Sequence, residues 1–110
     1  MQLKRLRIVD NSNYSITSLF ERFLLTKQAE GAKTKTLLTY SQHLKAISYH
    51  LDTSLDILDM NKNKYEQMIA SMVESHLSPN SIRSYTITLK AFLTWCNEEG
   101  YSCLIATIAC

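Results

Sequence analysis

The chain has 110 residues and a formal net charge of +2, with 45% hydrophobic and 20% charged residues. This is the composition of one soluble globular domain, and it excludes an intrinsically disordered chain. Two glycines and one proline are too few for the many tight turns of an all-β domain, so we expect long helices joined by few connections.

The first predicted elements are an arm and a helix. Residues 1–14 are basic and then polar, and we expect a loose N-terminal arm rather than a signal peptide, because no apolar run follows the basic residues. Ser15 is expected to cap a first helix, since apolar residues from Ile16 to Leu24 recur at helical spacing. Gly31 is expected to end it, because glycine adopts the left-handed conformation found beyond helix C termini.

The second predicted helix and the connection after it differ in charge. The helix is predicted over residues 34–51, and residues 32–51 contain three lysines and no acidic residue. Residues 52–59 contain three aspartates and no basic residue, with apolar Ile57 among them, so this connection is expected to be partly packed. We therefore expect a basic surface and an acidic one within a nearly balanced total charge.

The last two helices are marked by periodicity and caps. A third helix is predicted from Asn61, because apolar residues up to Val73 recur at i, i+3, i+4, i+7 and i+8. A fourth helix is predicted to begin with Ser78 as its cap and Pro79 at its first position. Proline is tolerated there because the N–H that it lacks would have no partner within the helix. Gly100 is expected to end it.

No motif for catalysis or metal binding is present. The sequence lacks a G-x-S-x-G elbow, a Gly-rich phosphate loop and an H-E-x-x-H motif, so no enzyme site, cofactor or metal is predicted. His43 and His50 are compatible with a metal pair on one helix, but surface or boundary histidines are the expected interpretation. Cys96, Cys103 and Cys110 fit no disulfide framework, and reduced thiols in the cytoplasm are expected. The apolar tail is shorter than the roughly 20 residues that span a bilayer, so no membrane contact is expected.

The starts of helices two and four repeat each other 45 residues apart. In both, hydroxyl and basic residues precede a tyrosine that falls on the apolar stripe, so the tyrosines are expected in the core. Helix N termini attract phosphate, and Lys, Arg, Ser, Thr and Asn side chains bond phosphates and base edges. The alternative is that Thr34 and Ser78 only cap their helices beside solvated lysines, and composition alone favours it. The repeated positions are Tyr40/Tyr85, Leu44/Leu89, Lys45/Lys90 and Ala46/Ala91.

The chain carries, in this order, SLFERFL, GAKTKTLLTYSQHLKAI, LDILDMNKNKYEQMIASM and LSPNSIRSYTITLKAFLTWCNEEGY. This succession resembles the N-terminal core-binding, or SAM-like, domain of tyrosine recombinases and phage-type integrases over about residues 15–101. The resemblance implies an all-α bundle of four to five helices in two crossed helical hairpins, with residues 102–110 as a tail or linker remnant. It also implies a sequence-specific DNA-binding arm, whose partners are double-stranded DNA, the catalytic domain of the parent recombinase and other protomers on the DNA.

The sequence also departs from the family pattern. Family catalysis uses an Arg, a Lys, an H-x-x-R motif and a nucleophilic Tyr in a second domain; no H-x-x-R occurs here, so the chain alone is not expected to be an enzyme. His76 stands where the family usually has glycine, and Lys33 stands where it usually has a serine cap.

The resemblance implies individual DNA contacts. Arg83 is the best candidate for a base edge, whereas Lys35 and Lys45 are candidates for phosphate. A helical protein–protein interaction module that uses the apolar C-terminal tail is the alternative, and a helix-turn-helix repressor ranks lower because the helices are long. The full set of candidate contacts is Lys33, Lys35, Thr36, Thr39, Lys45, Asn80, Ser81, Arg83 and Lys90.

Overall fold

The computed structural model describes residues 14–101, which form an all-α bundle, as predicted. The first and second helices form one hairpin, the third and fourth form another, and the second helix packs against the fourth. Among these residues, none of the helices is long and apolar enough to cross a membrane. The elements are α1 (Ile16–Ala29), α2 (Thr34–Ser48), a 3₁₀ turn (Ile57–Asp59), α3 (Lys62–Glu74) and α4 (Pro79–Glu98).

The core is organised around the ring of Phe23 on α1. Its centroid lies 5.2 Å from Phe20, 5.5 Å from Tyr40 on α2, and 5.7 and 5.8 Å from Phe92 and Trp95 on α4. The residue is fully buried. Because one side chain contacts rings from three helices, this cluster ties the first hairpin to α4.

Sulfur-containing side chains complete the core. Met60, Met68 and Met72 are 3%, 0% and 0% exposed, so they fill core space rather than form a partner groove. Cys96 is also fully buried, and this burial raises the pKa of its thiol, so the thiol stays protonated and unreactive.

The connection between the hairpins packs against the start of α1. The N–H groups of Ile16 and Thr17 donate to the carbonyls of Leu55 and Thr53 at 2.9 and 3.0 Å. First-turn N–H groups have no partner inside their own helix, so the connection supplies the missing acceptors. Ile57 is fully buried, which confirms that this connection is packed.

Side-chain caps begin α1, α3 and α4. Ser15, Asn61 and Ser78 each accept a hydrogen bond from the backbone N–H three residues later, at 3.1, 2.8 and 3.1 Å. Helix α2 differs, because Lys33 occupies its N-cap position and makes no side-chain cap bond within residues 14–101. The predicted caps at Ser15 and Ser78 are confirmed, and α2 begins with first-turn donors that no cap side chain satisfies.

Helices α1, α3 and α4 end in one hydrogen-bonding pattern, in which a residue in the left-handed region turns the chain. After α1 and α4 this residue is glycine, Gly31 with φ 97° and Gly100 with φ 85°, as predicted. After α3 it is His76, with φ 62°. The His76 N–H donates to the Val73 carbonyl at 3.0 Å, so the turn forms despite the histidine Cβ.

The substitution His76→Gly is expected to stabilise the domain by about 1 kcal/mol. A Cβ in the left-handed region costs roughly 1–2 kcal/mol, which exceeds the entropy that glycine loses on folding, roughly 0.5–1 kcal/mol. The histidine side chain is exposed, so few contacts are lost. A urea denaturation series measures the change. Ser75→Gly is the matched control, because Ser75 has φ −81° and has no such cost to remove; equal stabilisation by both variants would contradict the argument.

One predicted helix end and one predicted core position differ in the structure. Helix α2 ends at Ser48 rather than at residue 51, because the N–H groups of Tyr49 and His50 donate to carbonyls only three residues back, at Ala46 and Ile47, which tightens the last turn. Val73, predicted in the apolar stripe of α3, is 58% exposed. At 100° per residue it lies about 90° around the helix from the centre of that stripe, at the edge of the packed face.

Tyr14 lies in the bundle, although the sequence places it at the end of the arm. It is 2% exposed, its ring centroid lies 5.2 Å from that of Tyr101, and its carbonyl accepts from the Ile57 N–H at 2.9 Å. The rest of the predicted arm, residues 1–13, lies outside the described residues. So does the tail, residues 102–110, on which the protein-interaction alternative rests.

Candidate nucleic-acid interface

A polar bridge joins α2 to α4. His43 Nδ1 and Thr88 Oγ1 are hydrogen-bonded at 2.7 Å, and Thr88 is 3% exposed. The ring of Tyr85 lies edge-on to that of His43, with 5.2 Å between centroids. Tyr40 and Tyr85 are both half-buried against the core, as expected for residues of the two apolar stripes. The bridge and the tyrosine fix how the two helix surfaces sit beside each other.

An open groove of about 320 Å³ lies between the two helices beside this bridge. Its lining comes from the middle of α2 and the first two turns of α4. Burial lowers the pKa of His43 below its ordinary value of 6.5, so the imidazole is neutral near pH 7 and the whole lining is polar but uncharged. The lining residues are Gln42, His43, Asn80, Ser81, Ser84 and Tyr85.

The two chain segments that form this groove carry charges of one sign. Residues 33–51 and 77–97, which contain α2 and all but the end of α4, carry lysines and an arginine and no acidic residue. Among residues 14–101, the aspartates and glutamates lie in or directly after α1, in the connection, in α3, and at or directly after the C-terminal end of α4. This separation makes the α2–α4 surface the electropositive part of the described domain. Its basic residues are Lys33, Lys35, Lys45, Arg83 and Lys90.

Four of the predicted contact residues belong to the groove or to its edge. Asn80 and Ser81 line it. Lys35 and Thr39 stand one to two turns before Gln42 and on the same side of α2, since these three positions span about 60° at 100° per residue. Thr39 Oγ1 donates to the Lys35 carbonyl at 3.0 Å, which orients the threonine side chain along the helix.

The other candidates are spread over the outer surface. Lys45 is exposed about 80° around α2 from Lys35. Arg83 is exposed on the side of α4 away from the core, and Lys90 Nζ lies 5.9 Å from the centroid of Tyr65 on α3. Lys33 and Thr36 are exposed at the start of α2. The structure therefore gathers some candidates around the groove and leaves the remaining cations on the outer surfaces of α2 and α4.

Sequence reasoning missed Gln42, His43 and Ser84 as parts of this surface. The sequence did contain a signal for His43. The repeat at 45 residues aligns His43 with Thr88, and these two residues form the bridge. Within residues 14–101, no three His, Cys, Asp or Glu side chains lie close enough together to hold a metal ion, so His43 and His50 form no such cluster. His50 Nδ1 is instead hydrogen-bonded to Ser71 Oγ at 2.8 Å.

The substitution Lys33→Ser is expected to stabilise the domain by about 1 kcal/mol. A serine at the N-cap accepts from a first-turn N–H, and such caps contribute roughly 0.5–2 kcal/mol. Thermal or urea unfolding measures the effect. Ser78→Ala is the mirror control, because it removes the existing cap bond to Ser81 and is expected to lose a similar amount. If Lys33→Ser leaves stability unchanged while Ser78→Ala lowers it, another group already satisfies the α2 donors.

Comparison with known families identifies the class of this domain. The family described as phage integrase, N-terminal SAM-like domain, matches residues 18–100, well over half of the chain. No match was found among curated proteins or among solved structures. The chain belongs to this integrase family, and the matched part is the N-terminal domain rather than the catalytic one. The resemblance predicted from the sequence is confirmed.

Proposed function

We propose that this domain is the sequence-specific DNA-binding arm of a site-specific tyrosine recombinase that acts in DNA integration and recombination. The observation that carries the proposal is the separation of charge, with an acid-free α2–α4 surface in a domain of the integrase N-terminal family. Such a surface attracts the phosphates of double-stranded DNA. Its further partners in the cytoplasm would be the parent's catalytic domain and other protomers on the same DNA.

The proposal gives the basic residues different tasks. Lys35 and Lys45 neutralise phosphates on the two sides of α2. Lys33 adds charge at a helix N terminus, where the peptide dipoles already favour an anion. Arg83, exposed on α4, reads a guanine, because a guanidinium bonds both acceptors of its major-groove edge.

The hydroxyl groups of Thr36, Thr39 and Ser81 bond phosphate or base edges. Asn80 sits among them at the groove. Lys90 adds charge farther along α4.

Binding of the chain to duplexes over a salt series tests the proposal. The logarithm of the affinity should fall by roughly 0.9 per neutralised phosphate for each unit of log salt, so phosphate contacts from the four lysines of this surface predict a slope of about −3 to −4. Binding should also be tighter to a recombination-site duplex than to a scrambled duplex of the same length. Failure to bind any duplex at low salt, or an affinity that does not change with salt concentration, would overturn the proposal.

A further inference from the structure

The lining of the α2–α4 groove suits base edges better than phosphates. None of its six residues is a lysine, arginine, aspartate or glutamate. Phosphate recognition draws on cations, and here the cations stand outside the groove. Base edges present neighbouring donors and acceptors, which neutral polar side chains match.

Two carboxamides are the lining groups best suited to form new bonds. His43 and Ser81 are already bonded to neighbouring hydroxyl groups, at 2.7 and 3.1 Å. Gln42 and Asn80 are exposed, and their side chains bond to no other residue in the range 14–101. Ser84 is also exposed, but a hydroxyl both donates and accepts and so selects no base.

We propose that Gln42 and Asn80 select adenine at two positions of the DNA site. The inference rests on the proposed function and adds the base preference of the groove. A carboxamide holds one donor and one acceptor side by side, which matches the N6 amino group and N7 of adenine in the major groove. No lining residue carries the carboxylate that accepts from the cytosine amino group.

The flanking cations place these carboxamides against the duplex. Lys35 stands seven residues before Gln42, which puts the two side chains on one side of α2. Arg83 stands three residues after Asn80, one turn along α4. A phosphate contact from Lys35 and a guanine contact from Arg83 set the register of the two helices, and the carboxamides beside them read neighbouring bases.

Selection from a randomised duplex library, with the full chain at fixed salt, tests the inference. The wild-type protein should enrich adenine at two positions. Gln42→Ala should lose that preference at one of them, by about 5- to 150-fold against the other bases, and Asn80→Ala should lose it at the other. Gln42→Glu keeps the shape but offers two acceptors, so it should shift the preference at its position towards cytosine.

Matched measurements separate this inference from the function on which it rests. Ser41→Ala, an exposed neighbour outside the groove lining, should leave the base profile unchanged. Gln42→Ala should also leave the salt slope unchanged, because no charge is removed. A wild-type protein that binds DNA without adenine preference, or groove variants with an unaltered profile, would overturn only this inference. A wild-type protein that binds no duplex would overturn the proposed function and this inference together.

Discussion

Arg83→Gln is expected to weaken binding to the recombination-site duplex by about 5- to 150-fold and to relax the choice of base at one position. A bidentate arginine–guanine contact contributes roughly 1–3 kcal/mol to discrimination. Glutamine cannot replace it, because both of its N–H donors are on one nitrogen and its carbonyl oxygen would face a guanine acceptor. Affinity for the site duplex and for single-base variants of it, measured at one salt concentration, checks both parts. A uniform loss on every duplex would mean that Arg83 contacts phosphate instead.

Lys35→Gln is the companion variant with a different signature. It should weaken binding about equally on all duplexes and reduce the salt slope by roughly 0.9, because one phosphate contact is lost. Lys62→Gln, exposed at the start of α3, removes the same charge away from the α2–α4 surface and should leave the slope unchanged. If Lys62→Gln and Lys35→Gln have equal effects, only the total charge matters and the interface is misplaced.

Phe23→Ala is expected to destabilise the domain by about 3–5 kcal/mol. The side chain is fully buried and its ring packs against rings from α1, α2 and α4, so its loss leaves a cavity where three helices meet. Domains of this size have free energies of unfolding of roughly 5–15 kcal/mol, so the variant should lose a large part of its stability. Urea denaturation followed by circular dichroism measures the shift.

Leu38→Ala is the control for that experiment. Leu38 lies on α2 but is 56% exposed, so its truncation should change stability by no more than about 0.5 kcal/mol. Phe23→Leu should fall between the two, because it keeps an apolar side chain of intermediate volume. Similar losses for Leu38→Ala and Phe23→Ala would mean that the aromatic cluster does not dominate the core.

The features that the sequence predicted correctly depend on neighbours within one or two helical turns. Ser15 and Ser78 cap helices through N–H groups three residues away, and Gly31 and Gly100 end them through their own φ angles. Such interactions need only local chain geometry, so residue type and spacing reveal them. The error at Val73 arose because periodicity shows the direction of a packed face but not its width.

The composition of the groove could not be predicted in the same way. Gln42 and Asn80 are far apart in the chain, and neither has a residue type or spacing that marks it as part of a shared lining. Their meeting depends on how α2 lies against α4, which the His43–Thr88 bond and the core rings set together. The burial of Tyr14 could not be predicted from the sequence either, because it depends on a contact with Tyr101 at the other end of the domain.

The sequence by itself determined the all-α class, the helix caps, the acid-free character of two segments and the integrase family. Each of these follows from short-range hydrogen bonding, helical periodicity or residue order, which are properties of the linear chain. Only the tertiary structure decided that these two segments line one groove and that the lining is neutral, with the cations outside it. Side-chain packing between helices sets those relations, and packing depends on the shapes of residues from all four helices at once.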